Sequence, residues 1–393
     1  MTHIRFCALI LLACAGTLRA ANVTADCTGA PATFTSITAA MNTLDVTGPH
    51  TLTVIGTCTE NVNISARDRL TIQGSATTPS GIHAAVAGAP AVNVERSHGI
   101  ALRQLTISGA NRTLSAHNQS ELTLQAVTIE NSTGSGLTIL DETLVTLGGN
   151  SAAQSVLIHN SVVGITVDNG SLVSNGFLTV EDNAFTGVDV DAGSVVLLGQ
   201  RPGPSGGVNV IRNNGANGIF AHARSKVEIS SKNRIEGNTL NGILLFDGAT
   251  LDCTGSAGFG TTVENNHRGG VAAIFNASMH LGGATIHNNG TDGEPLSSGV
   301  TSATNAAARL DTSTITGTNG PGIVVESGGV IRVATTTVSG NTAEPVRLRT
   351  GAIAELFAGN ILSGAGTNAV TCDTTVILTG DGANVPTDCK KLK

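Results

Sequence analysis

Apolar and polar residues alternate along most of the chain in short runs, and Asn, Asp or Gly ends each run. Alternation at period two predicts short β-strands with one buried face. Between residues 155 and 199 one such series of strands and bends occurs twice, at an offset of 22 residues and then 23. The corresponding residues are Val156 and Leu178, Ile158 and Val180, Asn160 and Asp182, Gly164 and Gly187, Val167 and Val190, Asp168 and Asp191, Gly170 and Gly193, Ser171 and Ser194, and Val173 and Val196.

This repeat is too short for a pair of helices and lacks the pattern of a leucine-rich repeat. It fits one turn of a parallel β-helix, in which three short strands and three bends stack on the turn before. Variants of the unit recur along the chain, and we expect about eleven or twelve turns at the spacing of β-strands. Each is marked by Gly before Ile, Val or Leu, at Gly136, Gly164, Gly187, Gly218, Gly242, Gly270, Gly299 and Gly322.

Asparagine precedes most of these glycine marks. It tolerates left-handed backbone angles, which suits a sharp bend. Stacked on equivalent bends, its side-chain amide can also form a hydrogen-bonded ladder. The asparagines concerned are Asn131, Asn160, Asn183, Asn213, Asn214, Asn238, Asn265, Asn266, Asn288 and Asn289.

The two ends of the chain differ from the repeat. Residues 1–20 are typical of a signal peptide cleaved near Ala20, with Arg5 before an apolar core, which predicts a secreted, periplasmic or cell-surface protein. The core is too short to span a membrane, although Cys14 leaves lipid anchoring open. Residues 21–50 predict a cap with an amphipathic helix begun by Thr33 or Thr35, 51–371 the β-helix, and 372–393 a C-terminal cap and tail.

Four cysteines flank the predicted ends of the coil. Disulfides are expected in an exported chain, so we predict the pairs Cys27–Cys58 and Cys372–Cys389 at the two ends. Cys253 is then left over. Nothing near it is typical of a Cys–His catalytic site, which favours a free thiol over a nucleophile or an intermolecular bridge.

The opening segment resembles a known family. A helix, a short strand, and then Gly-Thr-x-x-Glu-Asn-Val-x-Ile at residues 56–64, followed by residues 70–74, resemble the first turns of right-handed parallel β-helix proteins of the pectin-lyase-like superfamily. The turns from Asn131 to about Gly340 resemble the superfamily's repeat. The resemblance implies an all-β fold, a single-stranded right-handed parallel β-helix with a short N-terminal capping helix. It implies little about activity, because one fold hosts many functions.

Signatures of the superfamily's enzymes are missing from the sequence. The Asp-Phe-Ile-Phe-Gly and Gln-Asp-Thr-Leu segments of pectin methylesterase-like proteins are absent. So are the ordered Asn-Thr-Asp, Asp-Asp, His-Gly and Arg-Ile-Lys segments of polygalacturonase-like proteins. Of the Arg-Pro-x-x-Arg segment of pectate-lyase-like proteins, only Arg201-Pro202 is present. None of these activities can be transferred.

Candidate chemistry lies on one predicted face. Asp189 should point outward, and the repeat stacks Asp168, Asp191 and His222 on successive turns. Neighbouring carboxylates with a histidine could serve as acid and base, or the carboxylates could share Ca²⁺, the one candidate cofactor. The alternative is a bend that favours short polar residues. By the repeat pattern, comparable places are occupied by Asp141, Asp247, Asn276, Asn305 and Glu326.

Arg201, Arg212 and Arg224 are candidates for binding an acidic sugar, although a solvated face is the alternative. Insertions after one recurring strand, at residues 148–155, 199–207 and 252–261, and another at 290–298, could border a binding face. The net charge of −7 without a basic stripe makes nucleic acid an unsuitable partner. The chain has no Trp or Tyr, which disfavours tight binding of neutral polysaccharide.

Two functional hypotheses follow. The first is a non-catalytic binding or structural module that recognises polysaccharide or another cell-surface ligand. The second is a divergent polysaccharide lyase, glycoside hydrolase or epimerase that acts on an acidic glycan through Asp168, Asp189, Asp191 and His222. The sequence leaves the oligomeric state open.

Overall fold

The computed structural model describes residues 20–149, 151–174, 176–199, 207–230, 232–254, 260–291, 297–364 and 369–380. Within them the chain forms a parallel β-solenoid, as predicted, with one short α-helix, Ile37–Met41, and one 3₁₀ turn, Ala152–Gln154. One side of the solenoid is a 13-stranded parallel sheet. Its strands are Val62–Ser65, Val92–Glu95, Arg112–His117, Ser135–Leu140, Val163–Asp168, Val188–Asp191, Ile219–Ala221, Asn241–Leu245, Gly269–Ile274, Ser298–Ala303, Ile323–Glu326, Val346–Leu348 and Val370–Cys372.

The other 25 strands form a second sheet that bends into two columns. Thr47–Thr59, Ile100–Ser108 and Glu121–Glu130 run through both columns. The first column also contains Ala21–Asp26, Asp68–Gly74, Leu144–Leu147, Ser171–Ser174, Val195–Leu198, Lys226–Ser230, Thr250–Thr254, Ser278–Gly282, Ala307–Asp311, Val330–Ala334, Ile353–Leu356 and Ile377–Gly380. The second contains Ser80–His83, Val156–His159, Leu178–Glu181, Asn209–Arg212, Asn233–Glu236, Thr262–Glu264, Thr285–His287, Thr314–Thr316, Thr337–Asn341 and Ile361–Gly364.

Each turn passes through the first column, the second column and then the 13-stranded sheet. We number the turns 1 to 13 by their strand in the 13-stranded sheet, so turn 1 ends at Val62–Ser65. The expected eleven or twelve turns were one or two too few; the eight glycine marks lie in turns 4 to 11, and turns 1 to 3, 12 and 13 lack the mark. At the usual separation of β-strands the described turns stack to about 60 Å.

The two copies of the internal repeat lie directly on each other. Val156 pairs with Leu178 and Ile165 with Val188, which confirms the offsets of 22 and 23 in two of the three faces. In the first column, however, the offset is 24, so Val195 pairs with Ser171 and Val196 with Leu172. The expected matches of Ser171 with Ser194 and of Val173 with Val196 are therefore wrong. The bend after Asp191 is one residue longer than its counterpart, and a slip of one residue exchanges the buried and exposed faces of a strand.

A ladder of buried asparagines runs along the bend before the 13-stranded sheet. The Nδ2 group of each donates to the Oδ1 of the asparagine one turn further on, over 2.9–3.0 Å. That Oδ1 also accepts the backbone N–H of the earlier asparagine. The predicted ladder is therefore confirmed for five residues, Asn183, Asn214, Asn238, Asn266 and Asn289.

The left-handed angles predicted for asparagine belong to the residue before each ladder position. At Asn213, Asn265 and Asn288, φ is 52–55°. The five ladder asparagines are not among the residues with positive φ. The two roles assigned to one asparagine are thus divided between neighbours, which explains the Asn-Asn pairs in the sequence.

The glycine marks are required by the close stacking of this bend. A Cβ atom on Gly242, for example, would lie 2.8 Å from Asn266 Nδ2 and 2.9 Å from the carbonyl oxygen of Gly270 in the next turn. Such distances leave no room for a side chain. The ladder and the glycine mark therefore depend on each other.

Thr318 interrupts the ladder. It takes the ladder position between Asn289 and Asn341, and its N–H donates to Asn341 Oδ1 at 3.0 Å. Thr318 Oγ1 and Asn341 Nδ2 are both buried without a hydrogen-bond partner. We expect Thr318→Asn to extend the ladder and raise the free energy of unfolding by about 1 kcal/mol, measured by urea denaturation. Thr316→Asn, on the outer face of the same turn, is the control, and equal stability of the two variants would contradict the prediction.

The N-terminal end is closed by the short helix and a disulfide. The helix begins after Ser36, whose side chain accepts the N–H of Ala39, so the expected caps Thr33 and Thr35 were wrong. Glu60 accepts the N–H of Ile37 at 2.6 Å, which gives the Glu of the opening motif a structural role.

The Cys27–Cys58 disulfide is present as predicted. Cys372 is disulfide-bonded, and its predicted partner, Cys389, lies outside the described residues. Cys253 is a buried free thiol, and burial raises its pKa to about 11, which does not favour a nucleophile. The predicted signal peptide, residues 1–20, lies outside the described residues except for Ala20.

Candidate functional site

The outer face of the 13-stranded sheet carries a row of outward side chains with one residue per turn, which we call the central row. Asp189 belongs to it and points outward, as predicted, because Val188 and Val190 are fully buried. From turn 1 to turn 13 the central row is Asn63, Asn93, Ser115, Thr138, Thr166, Asp189, Phe220, Leu244, Ala272, Thr301, Val324, Arg347 and Thr371.

The structure brings Asp168, Asp189, Asp191 and His222 together at turns 5 to 7. His222 lies between two carboxylates, with Nε2 at 3.2 Å from Asp189 Oδ1 and Nδ1 at 3.2 Å from Asp191 Oδ1. Asp168 stands opposite Asp191 in the strand register. We call these four residues the Asp–His cluster. Their side chains are partly exposed, between 24 % and 38 % for the three in direct contact.

The two contacts of His222 differ in kind. Its Nε2 is hydrogen-bonded to Asp189 Oδ1, whereas Nδ1 lies within ion-pairing distance of Asp191 Oδ1. A neutral imidazole carries one N–H and can donate to only one of the two carboxylates. The cluster therefore places one imidazole between two carboxylates at the surface of the sheet.

Asp189 is the acid most affected by this environment. Burial raises the pKa of its carboxyl group, and the charges of Asp191 and Asp168 raise it further, while the contact with His222 acts in the opposite direction. Acids with such a perturbed pKa are markers of functional sites, although structural networks also produce them.

The alternative interpretation of Asp168 and Asp191 is a bend that favours short polar side chains. Most of the residues compared for it do not occupy places equivalent to those of the two acids. Those two acids are the last residues of their strands. Asp141, Asp247, Asn276 and Asn305 lie beyond their strands with φ between 48° and 61°. Of the residues compared, only Glu326 also ends its strand. One local role remains, since Asp191 Oδ1 accepts the N–H of Ala192 at 2.6 Å.

Four of the nine phenylalanines lie on this face or at its borders in turns 6 to 9. Phe220 stacks on His222, with ring centroids 4.6 Å apart. Phe246 and Phe275 contact each other at 4.7 Å at the bend that follows the sheet. Phe185, at the bend before the sheet, is 56 % exposed. This set was missed in the sequence analysis. It could have been recognised there, because each of four successive turns contains one Phe.

Arg212 and Arg224, two of the three candidate arginines, lie on different parts of the solenoid. Arg212 lies in the second column, where it contacts Glu181 at 2.7 Å and Glu236 at 3.9 Å. Arg224 is exposed at the bend after the strand Ile219–Ala221, and Arg201 lies outside the described residues. Arg212 belongs instead to a series of alternating charges along the second column, Glu130, His159, Glu181, Arg212, Glu236, Arg234, Glu264 and His287.

The insertions differ in the strands that they connect. The strands on either side of residues 148–155, 199–207 and 252–261 belong to the first and second columns, whereas residues 290–298 precede a strand of the 13-stranded sheet. That these insertions border a binding face stays a prediction.

Within the described residues no group of three or more His, Cys, Asp or Glu side chains is arranged to hold a metal ion. The same part of the chain contains no helix that is long and apolar enough to cross a membrane.

Comparisons with known proteins agree with the fold. A family model described as the right-handed beta helix region matches residues 205–375. The A-module of the Azotobacter vinelandii mannuronan C-5 epimerase AlgE4 has a similar structure, with a TM-score of 0.50 and 13 % identity over 88 % of this chain and 94 % of that one. The A-module of AlgE6 from the same organism has a TM-score of 0.46 and 14 % identity over the same shares of the two chains.

No curated protein sequence matches the chain. The fold of this chain is that of a right-handed parallel β-helix, as the resemblance of its opening segment implied.

Proposed function

We propose that the protein binds a carbohydrate chain across the outer face of the 13-stranded sheet, at turns 5 to 9. The observation that carries this proposal is the contact between Phe220 and the Asp–His cluster. Sugars offer both C–H faces, which pack on aromatic rings, and hydroxyl groups, which hydrogen-bond to carboxylates. Phe185, Phe246 and Phe275 continue the aromatic surface on both sides.

The architecture supports an extended ligand. Successive turns place equivalent side chains about 4.8 Å apart along a straight row, and a linear polymer can follow such a row. The two similar structures are named as epimerases of mannuronan, a polysaccharide. Their low identity links them to this chain by fold, so the proposal rests on the residues of the face. The predicted signal peptide supports a location where polysaccharides are met, outside the cytoplasm.

Affinity electrophoresis of the mature protein in gels containing single polysaccharides tests the proposal. We expect a retained band in at least one gel and about tenfold weaker retention for Phe220→Ala, because aromatic stacking is lost. Phe357→Ala is the matched control, since Phe357 packs under Arg332 beside the first column. The proposal fails if no polysaccharide retains the folded protein, or if both variants are retained equally.

Catalysis is a second candidate, favoured by the raised pKa of Asp189 and its contact with His222. A proton held between a carboxylate and an imidazole is suited to general acid–base chemistry on a glycosidic bond or a C–H bond of a sugar. Incubation with the same polysaccharides, analysed for reducing ends, unsaturated products and epimerised residues, tests this. Turnover that disappears in Asp189→Asn supports catalysis, and no turnover with a retained polysaccharide supports binding alone.

A further inference from the structure

A cleft of about 430 Å³ opens on the same face, towards the N-terminal end from the Asp–His cluster. Its walls come from turns 1 to 4. Asn63, Asn93 and Ser115 of the central row form its floor, and Arg112 and His117 stand at its sides. Arg112 belongs to turn 3 and Asp189 to turn 6, so about 14 Å separates them along the row at the usual strand spacing.

A directed chain of hydrogen bonds runs along the floor of this cleft. His117 Nε2 contacts Asn93 Oδ1 at 3.0 Å, and Asn93 Nδ2 donates to Asn63 Oδ1 at 2.9 Å. Because Asn93 Oδ1 accepts, His117 Nε2 carries the proton. Every bond in the chain therefore points towards Asn63, whose Nδ2 group is left at the end as a donor.

The side of the cleft provides a second donor. Arg112 is exposed, and in the described part of the chain its guanidinium makes no hydrogen bond or ion pair. The cleft thus presents unpaired donors, which suit a ligand that only accepts hydrogen bonds. A planar carboxylate fits a guanidinium in this way, through two parallel bonds.

Arg112 is the charged residue among those that line the cleft, whereas the Asp–His cluster contains three carboxylates. Asp168, Asp189 and Asp191 together carry more negative charge than His222 can compensate. A second carboxylate three turns beyond Arg112 would therefore meet like charges at close range, which is unfavourable. A ligand that fits both parts has its acidic group in the cleft and uncharged sugars over the cluster.

The geometry points to the cleft between Asn63 and Arg112 as a subsite for one isolated uronic acid carboxylate in an otherwise neutral glycan. This inference rests on the proposed carbohydrate binding and specifies its ligand class. It excludes a polymer with a carboxylate on every sugar as the preferred ligand.

Titration of the ¹⁵N-labelled mature protein with galacturonate and galactose, followed by NMR, tests the subsite. We expect galacturonate to shift the amide signals around Asn63 and Arg112 saturably, and galactose to leave them unchanged. Arg112→Gln should weaken galacturonate binding at least tenfold, since a charge-assisted pair is lost. Arg103→Gln is the control, because Arg103 is exposed in the same turn but lies in the first column. No saturable shift, or equal affinity of the two variants, would overturn the subsite.

Tetragalacturonate tests the charge argument. We expect it to bind no more tightly than galacturonate, because its further carboxylates extend towards Asp168, Asp189 and Asp191. Clearly tighter binding of the tetramer would refute the neutral-chain part of the inference. The outcome is separable from the proposed function: polysaccharide retention that depends on Phe220 but not on Arg112 keeps the proposed function and removes the subsite. Galacturonate binding without any polysaccharide retention keeps the subsite and removes the proposed function.

Discussion

Replacing His222 by alanine is expected to weaken carbohydrate binding at least tenfold and to leave the β-helix folded. The imidazole is hydrogen-bonded to Asp189, lies within ion-pairing distance of Asp191 and stacks on the ring of Phe220. Without it, two carboxylates face each other without compensation, and Phe220 loses its stacking partner. Affinity electrophoresis in a polysaccharide gel that retains the wild-type protein measures the loss, and circular dichroism checks the fold.

The chain provides a matched control in His280. Its ring also lies between two carboxylates, with Nδ1 at 3.4 Å from Asp252 Oδ1 and Nε2 at 3.1 Å from Asp311 Oδ2. This second arrangement belongs to the first column, on another face of the solenoid. His280→Ala should therefore cost similar stability but leave carbohydrate binding unchanged. Equal retention of the two variants would show that the Asp–His cluster is a structural feature only.

Replacing Asn238 by leucine is expected to lower the free energy of unfolding by about 4 kcal/mol. The side chain is fully buried and makes ladder contacts in both directions. Its Oδ1 accepts the N–H and Nδ2 groups of Asn214 at 3.1 and 2.9 Å, and its Nδ2 donates to Asn266 Oδ1 at 2.9 Å. Leucine has a similar volume but leaves the buried donors of Asn214 without their acceptor, and each such group costs about 1–3 kcal/mol.

Urea denaturation of the two proteins measures this difference. Thr239→Leu, at the exposed neighbouring position, should change the free energy of unfolding by less than about 0.5 kcal/mol. Asn238→Ser keeps a polar group at the ladder position and should lie between the leucine variant and the wild type. A leucine variant as stable as the wild type would mean that the ladder follows from the fold without stabilising it.

Much of the fold could be predicted because each turn of a solenoid contacts only its neighbours. The same physical constraints then return at each turn, and they appear in the sequence as alternation, glycine marks and asparagines. What the sequence concealed is the length of individual bends. One additional residue after Asp191 displaced the expected match of Val173, and turns 1 to 3, 12 and 13 lack the glycine mark by which a turn is recognised in the sequence.

The candidate site was only partly predictable. Asp168, Asp189 and Asp191 could be placed because alternation fixes which residues point outward, and the repeat fixes which of them stack. Arg212 was misplaced because outward residues occur on three faces, and sequence spacing across a bend of variable length does not separate them. The partners of Arg212 in the second column come from turns up to 31 residues away. The phenylalanines were counted as few, although the placement of four of them on one side of the solenoid matters more than their number.

The three faces of the solenoid share one interior but few outward contacts. Asn214 and its ladder partners, with the buried aliphatic residues, hold every turn in place from within. The series of charges around Arg212 occupies one face, and the Asp–His cluster occupies another. An outward side chain contributes little to the interior. The recognition surface can therefore diversify through evolution, or be redesigned for another glycan, without changes in the buried residues that form the solenoid.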